Sequence, residues 1–170
     1  MLYKNLSKLV SIGFTQGYYY KPRIDLEVLE KYHEGLIALS ACLAGSVNRA
    51  ILDGNMEKAE ANASWFKKVF KDDYYLELQN NGIKEQVLAN QKLIEIGRKL
   101  NIPLVATNDA HYLKKEDSYN HEVLLCIQTG KKMSDEDIMR FETDELYIKS
   151  PEEMADYFSN IPEVIENTVK

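Results

Sequence analysis

The sequence has few of the residues that mark secreted, membrane-spanning or nucleotide-binding proteins. Its 170 residues contain two cysteines, Cys42 and Cys126, too few for a disulfide scaffold, and this favours a cytoplasmic location. No apolar run approaches the roughly 18 residues of a membrane span, and the first residues lack the apolar core and cleavage site of a signal peptide. The chain also has no Walker sequence, no GxGxxG loop, no serine nucleophile elbow and no CxxC pair.

An excess of basic charge is absent as well. The 27 acidic residues outnumber the 21 basic ones, and the formal net charge is −6. A domain that holds nucleic acid by itself usually presents a basic face, so independent, tight DNA binding is disfavoured. Local basic patches remain at Lys21/Arg23 and at Lys131/Lys132. With 45% hydrophobic and 28% charged residues, the composition is that of one soluble, globular domain with a sizeable core.

The order of apolar and turn-forming segments predicts an α/β fold. An amphipathic helix over residues 2–16 and a short helix with Asp25 as its N-cap come first. Apolar strands then alternate with helices, and this alternation predicts a parallel sheet with right-handed crossovers. We expect strands at 36–41, 74–78 and 103–107, helices at 46–70 (broken near 53–55), 84–100 and 116–128, a last short strand at 146–149, and a helix that begins at Ser150-Pro151.

Polar residues follow two of the predicted strands. Strand 36–41 runs into Cys42, and strand 103–107 runs into Asn108-Asp109-Ala110-His111. Functional groups of parallel α/β folds collect at the carboxyl ends of strands, and residues i and i+2 of an extended segment point the same way. Cysteine, aspartate and histidine are ligands for zinc or a similar divalent ion. The alternatives are that Cys42 is a small core residue and that Asp109 and His111 serve turn chemistry.

Four further positions carry weaker signals. Glu77 lies on strand 74–78 and can face either a site or solvent, whereas His33 and His121 are expected at a helix end and on a surface or interface. Residues 17–25 read GYYYKPRID, an aromatic and basic loop in which Lys21 and Arg23 can contact a phosphate or a base. A packed loop without a ligand explains that segment equally well.

Eight ordered segments resemble a known family: YKNLSKLVS, GYYYKPRID, GLIALSACLAG, YYLELQ, PLVATNDAHYL, VLLCIQTGK, RFETDELYIKSPEEM and IPEVIENT. Together they are similar to the PHP (polymerase and histidinol phosphatase) domain of bacterial DNA polymerase III alpha subunits. The sequence departs from the family pattern at Ala110, where valine is common, and at Asn80-Asn81-Gly82, where many relatives have Asp-His-Gly.

The resemblance implies that the chain is part of a distorted (β/α)7 barrel. Residues 1–150 correspond to a partial PHP domain whose upstream strands, His-x-His motif and several other metal positions are missing. Residues 151–170 correspond to a helical segment that leads toward the palm domain. Cys42, Asp109 and His111 match positions of the family's metal cluster, which binds Zn²⁺, Mn²⁺ or Mg²⁺. Because the polymerase aspartates are absent, we expect the chain itself not to polymerise DNA.

Three functions remain open at this point. The PHP segment contributes to metal-dependent phosphoester hydrolysis and 3′–5′ exonuclease proofreading in a DNA-directed DNA polymerase, or it is a non-catalytic scaffold that docks a separate proofreading exonuclease. The third is a free-standing α/β metal hydrolase. The resemblance implies DNA and other replicase subunits as partners, and no membrane. A barrel without its first strands leaves an open sheet edge and uncovered apolar surface, so we also expect the chain to self-associate.

Overall fold

The computed structural model describes residues 2–170. Eight α-helices and five short strands are found among these residues. In chain order they are α1 (Leu2–Thr15), β1 (Tyr18–Tyr19), β2 (Lys21–Pro22), α2 (Leu26–Tyr32), β3 (Ala38–Leu39), α3 (Ser46–Leu52), α4 (Met56–Phe70), β4 (Tyr74–Leu78), α5 (Lys84–Leu100), β5 (Leu104–Ala106), α6 (Ser118–Thr129), α7 (Pro151–Tyr157) and α8 (Glu163–Glu166).

Strands β3, β4 and β5 form a parallel sheet with β4 in the middle. This confirms the predicted α/β class and the predicted positions of the second and third strands. The first predicted strand, 36–41, is shortened to Ala38–Leu39, and the ladder continues by one bond from Ser40 N to Tyr75 O at 3.0 Å. The chain then turns at Ala41, whose φ of 64° is left-handed and ends the extended backbone.

One face of the sheet is covered by helices. Tyr74, Leu76 and Leu78 alternate along β4 and are buried against them, whereas Tyr75 and Glu77 point to the opposite face and stay partly exposed. Small residues let the layers approach closely: a Cβ on Gly97 of α5 would lie 3.0 Å from Leu104 Cδ2. The core also contains Val47, Ala50, Ile51, Ala59, Ala63, Val69, Phe70, Leu93, Ile96, Phe158, Ile161 and Val164.

The helix starts follow the predicted capping chemistry. Asp25 Oδ1 accepts a hydrogen bond from Val28 N at 2.8 Å at the start of α2. The long helical region breaks at Asp53–Asn55 as expected, and Asn55 caps α4. Ser150 forms a capping box with Glu153, with Pro151 at the first helical position. These local signals were sufficient because each acts within a single helical turn.

Three expectations about segment boundaries and faces were wrong. Residues 146–149 form no regular strand; one parallel bridge joins Tyr147 to Tyr112. The apolar pattern of helix 116–128 predicts that Val123, Leu124 and Ile127 face inward, but Leu124 and Ile127 are 62% and 71% exposed and Cys126 is buried instead. The predicted loop at residues 17–25 is a small antiparallel hairpin. At α6 a tertiary neighbour accounts for the difference: residues beyond the helix pack on it at Cys126, whose Sγ lies 3.5 Å from Met133 Sδ.

Helix α1 forms where the periodicity predicts it, but its apolar stripe is not covered in this chain. Leu9 is 5% exposed, whereas Leu6, Val10 and Phe14 are 48%, 52% and 59% exposed. No helix within residues 2–170 is long and apolar enough to cross a membrane.

Candidate metal centre at the carboxyl ends of the strands

Asp109 and His111 lie beside each other just beyond strand β5. The last ladder bond runs from Thr107 N to Leu78 O at 3.0 Å, and Asp109 then adopts a left-handed φ of 53°. Its Oδ1 lies 3.6 Å from His111 Nε2, with the two side chains 33% and 32% exposed. The expected convergence is therefore present, but a left-handed turn produces it rather than the extended backbone assumed from the sequence. Aspartate tolerates this conformation better than most residues.

Asn108 fixes this turn to a distant segment. Its Nδ2 donates to Tyr147 O at 2.6 Å, and its Oδ1 accepts from Lys149 N at 3.0 Å. His111 N also donates to Leu146 O at 2.7 Å. The asparagine side chain thus pairs with residues 147–149 as a strand backbone would. This pairing explains why the segment is ordered without forming a regular strand.

The imidazole of His111 is surrounded by aromatic rings. Its centroid lies 4.9 Å from that of Phe141 and 5.5 Å from that of His121. Burial, together with the proximity of His111, lowers the pKa of His121. Sequence reasoning placed His121 on a surface or interface and missed this contact, because the helical pattern of α6 does not show which face meets the 109–111 turn.

Cys42 lies at the end of β3, as predicted, in a loop that backbone contacts hold in place. Asn48 Nδ2 donates to the carbonyl oxygens of Ala41 and Cys42 at 3.0 and 2.9 Å. A Cβ at Gly45 would collide with Ser40 O, so the loop requires glycine there. The Cys42 thiol is half-buried and free. Within residues 2–170 no three His, Cys, Asp or Glu side chains gather into a group that could hold a metal, so Cys42 as a ligand stays a prediction.

Glu77, which the sequence could not orient, lies between the two strand ends. Its carboxylate accepts a hydrogen bond from Thr107 Oγ1 and another from Gln79 Nε2 at 3.1 Å. Its backbone N donates to Ser40 Oγ at 2.8 Å. These bonds connect the ends of β3, β4 and β5 through polar groups. The sequence left the direction of Glu77 open because its partners lie on the neighbouring strands.

The donor set of Asp109 and His111 fits two positions of a divalent metal site. A carboxylate oxygen and an imidazole nitrogen are ordinary zinc and manganese ligands. The 3.6 Å separation of the two atoms is longer than a hydrogen bond, so the pair does not tie up the lone pairs that a metal would take. Zinc takes about four ligands and magnesium about six, so two donors make only part of a site.

Lys21 and Arg23 lie in a different part of the molecule. They belong to the hairpin after α1, beside an apolar groove of about 480 Å³ that includes Phe14, Ile37 and Phe70. Residues 36–38 of this groove precede the carboxyl end of β3, whereas Asp109 follows the carboxyl end of β5. The structure does not join these two cations to the Asp109–His111 pair.

Comparison with known proteins gives a consistent result. Residues 2–81 match the family described as PHP domain. The chain is 51% identical over 168 residues to the DNA polymerase III subunit alpha of Borreliella burgdorferi, 47% over 176 residues to that of Campylobacter jejuni, and 45% over 152 residues to that of Deinococcus radiodurans. These alignments cover 99%, 98% and 89% of the chain but only 15%, 15% and 11% of the respective relatives.

Proposed function

We propose that this chain, which matches the PHP domain over residues 2–81 and a DNA polymerase III subunit alpha over nearly its whole length, serves as a PHP-domain segment within a DNA-directed DNA polymerase of DNA replication. We propose further that Asp109 and His111, with Cys42, supply part of a divalent-metal site for phosphoester hydrolysis in 3′–5′ exonuclease proofreading. The observation that carries the metal proposal is the 3.6 Å approach of Asp109 Oδ1 to His111 Nε2, at the sheet end where such folds place their chemistry.

The residues of the chain have separate tasks in this proposal. Asp109 supplies negative charge and an oxygen ligand, and His111 supplies a neutral nitrogen ligand whose ring Phe141 and His121 hold in orientation. Asn108 fixes the turn that carries both. When bound, divalent ions polarise a phosphoryl oxygen and lower the pKa of a bound water. The chain acts by placing these ligands, and none of the three is the nucleophile.

A second candidate function is a non-catalytic scaffold that docks a proofreading exonuclease and other replicase subunits. One observation favours it: the described residues bring together two potential ligands, not three. In this alternative a metal whose remaining ligands come from outside the described residues would act as a structural staple rather than as a reaction centre. In either case DNA is the substrate of the whole polymerase, and the cytoplasm is its compartment. The uncovered stripe of α1 supports self-association of the separate chain.

Calorimetric titration of the metal-stripped chain with Zn²⁺ and Mn²⁺ tests the metal site. We expect one ion per chain with a Kd tighter than about 1 mM, equivalent to roughly 4 kcal/mol. The variant Asp109→Asn/His111→Ala should lose this binding. Asparagine is chosen because it tolerates the left-handed backbone at position 109 while it removes the charge.

A matched variant controls for non-specific loss. Asp72→Asn/His33→Ala removes one carboxylate and one imidazole that lie near each other before the amino end of β4, away from the carboxyl ends of the strands; the Asp72 side chain is fully exposed and His33 ends helix α2. It should bind the ion as the parent chain does. Equal loss in both variants, or no saturable binding by the parent chain, would contradict the assignment of Asp109 and His111.

A further inference from the structure

The hairpin after α1 holds three tyrosine rings in solvent. Tyr18, Tyr19 and Tyr20 are 61%, 65% and 81% exposed, a high value for consecutive aromatic residues. The turn is tight, with Tyr20 at a left-handed φ of 58° and register pairs Tyr18↔Pro22 and Tyr19↔Lys21. At its base a Cβ on Gly17 would collide with Arg23 O. The backbone of the hairpin is therefore closely held while its rings remain uncovered.

The rings of the hairpin are organised by contacts with one another and with α1. Tyr18 stacks on Phe14, with ring centroids 6.5 Å apart and planes inclined by 29°. Tyr19 and Tyr20 meet edge to face at 4.6 Å. The Arg23 guanidinium lies over the Tyr19 ring at 5.7 Å. Such contacts fix the directions of the rings before any ligand arrives.

The two cations of the hairpin are not neutralised by the chain. Ion pairs occur elsewhere in the described residues, for example between Lys99 and Glu60 or Lys131 and Asp137, but Lys21 and Arg23 pair with no described carboxylate. The Asp25 carboxylate is directed to the start of α2, where it accepts the N-cap bond from Val28 N, and it forms no ion pair with either cation. In a chain with a net charge of −6, this leaves a small local positive surface beside aromatic rings.

We propose that the surface formed by Phe14, Tyr18, Tyr19, Tyr20, Lys21 and Arg23 binds single-stranded DNA. Unpaired bases stack on the exposed tyrosine rings, and Lys21 and Arg23 contact the phosphates on either side. This is the combination of aromatic stacking and basic charge by which proteins hold single strands without sequence preference. The inference rests on the proposed function only in its choice of DNA, because the hairpin is separate from the Asp109–His111 pair.

Charge complementarity favours this occupant over an apolar peptide. A peptide that filled the neighbouring groove would cover Phe14 and Ile37 but would leave the two cations without a counterion. The phosphates of duplex DNA can pair with Lys21 and Arg23, but its bases are stacked inside the helix and cannot stack on the tyrosine rings. A single strand provides both exposed base faces and phosphate charge.

Fluorescence anisotropy of a labelled 20-residue thymidine oligonucleotide tests the proposal, with the 170-residue chain in EDTA so that no metal site contributes. We expect a Kd of roughly 1–100 µM at about 50 mM salt, typical of non-specific binding. Tyr19→Ala/Tyr20→Ala should weaken binding by about tenfold or more, because base stacking on one ring is commonly worth that factor. Tyr19→Phe/Tyr20→Phe should restore it, since a phenyl ring also stacks.

Two matched controls separate the hairpin from general effects. Tyr3 and Tyr119 are 81% and 64% exposed, so Tyr3→Ala/Tyr119→Ala removes equally exposed rings elsewhere and should bind as the parent chain does. Lys131→Ala/Lys132→Ala changes net charge by the same amount as Lys21→Ala/Arg23→Ala. Only Lys21→Ala/Arg23→Ala should make log K of binding depend less steeply on log salt concentration, with a slope smaller by about 1.4 because two phosphate contacts are lost.

Several results would overturn the proposal. The first is that the parent chain causes no anisotropy change at about 200 µM, a concentration above the usual range of Kd for non-specific binding. The second is that the hairpin variants and their controls weaken binding equally, and the third is that duplex DNA binds as tightly as single-stranded DNA. Circular dichroism spectra matching that of the parent chain show that a weak variant is folded, as expected for exposed side chains.

Discussion

Replacing Asn108 by alanine should loosen the turn that carries Asp109 and His111. The asparagine side chain makes two hydrogen bonds, to Tyr147 O at 2.6 Å and from Lys149 N at 3.0 Å, and no other described residue is placed to replace it. Each bond to a partly buried backbone group contributes about 1–1.5 kcal/mol, so the loss amounts to about 2–3 kcal/mol. For a domain of this size that lowers Tm by roughly 5–10 °C.

Differential scanning calorimetry measures the change in Tm, and hydrogen exchange locates it. The amides of His111 and Ile148, which bond across the same junction, should exchange faster in Asn108→Ala than in the parent chain. Asn108→Asp keeps the acceptor for Lys149 N and loses the donor to Tyr147 O, so it should fall between the two.

An exposed asparagine is the control. Asn120 makes one long bond of 3.4 Å to Asp117, and Asn120→Ala should change the free energy of unfolding by less than about 0.5 kcal/mol. Two results together would refute this reasoning. The Tm of Asn108→Ala would lie within about 1 °C of that of the parent chain, roughly the effect of a surface change, and the amides of His111 and Ile148 would exchange as slowly as they do in the parent chain.

Four other predictions concern charge, pH, packing and assembly. Glu145→Ala should cost at least twice as much free energy of unfolding as Lys149→Met in urea titration, because the first leaves the buried Lys149 ammonium without its carboxylate, whereas methionine removes the charge. The pKa of Glu145 is lowered mainly by the hydrogen bond that its carboxylate accepts from Lys115. The ionised Glu145 carboxylate therefore stabilises the fold above its ordinary pKa of 4.5, and this contribution is lost as pH falls. The Tm difference between the parent and Glu145→Gln should accordingly shrink below pH 4.5, and a constant difference would contradict this. Gly97→Ala should destabilise the chain by about 1–3 kcal/mol, since the added Cβ meets Leu104 and Ile102 O at 3.0 and 3.1 Å; an unchanged urea midpoint would show that the helix can shift. Light scattering should show concentration-dependent association that Val10→Glu on the exposed stripe of α1 weakens, and a monomer at all concentrations would refute this self-association.

Local chemistry made much of the fold predictable. Strand β4 has the predicted bounds, Tyr74–Leu78, because an apolar run between turn signals needs no distant information to be recognised. Helix α5 ends at Leu100 as predicted, with Asn101 in the left-handed conformation after it. The N-cap at Ser150 was predictable for the same reason, because its hydrogen bonds form within a single helical turn.

What the sequence did not predict depends on contacts between distant segments. The buried face of α6, the partners of Glu77 and the contact between His111 and His121 each require the packing of separate elements. The pairing of Asp109 with His111 was expected, but the assumed backbone conformation was incorrect. The role of Asn108 was also missed, because its partners at 147 and 149 lie about forty residues away.

The left-handed backbone at Asp109 has a consequence for how this position can change during evolution. A φ of 53° admits glycine, asparagine and aspartate with little strain and penalises β-branched residues. Asparagine and glycine accept the left-handed backbone conformation but carry no charge, whereas aspartate accepts it and also supplies a carboxylate. Among homologous chains, drift from aspartate to asparagine at this turn would therefore mark lineages in which selection maintains the fold but no longer the charge.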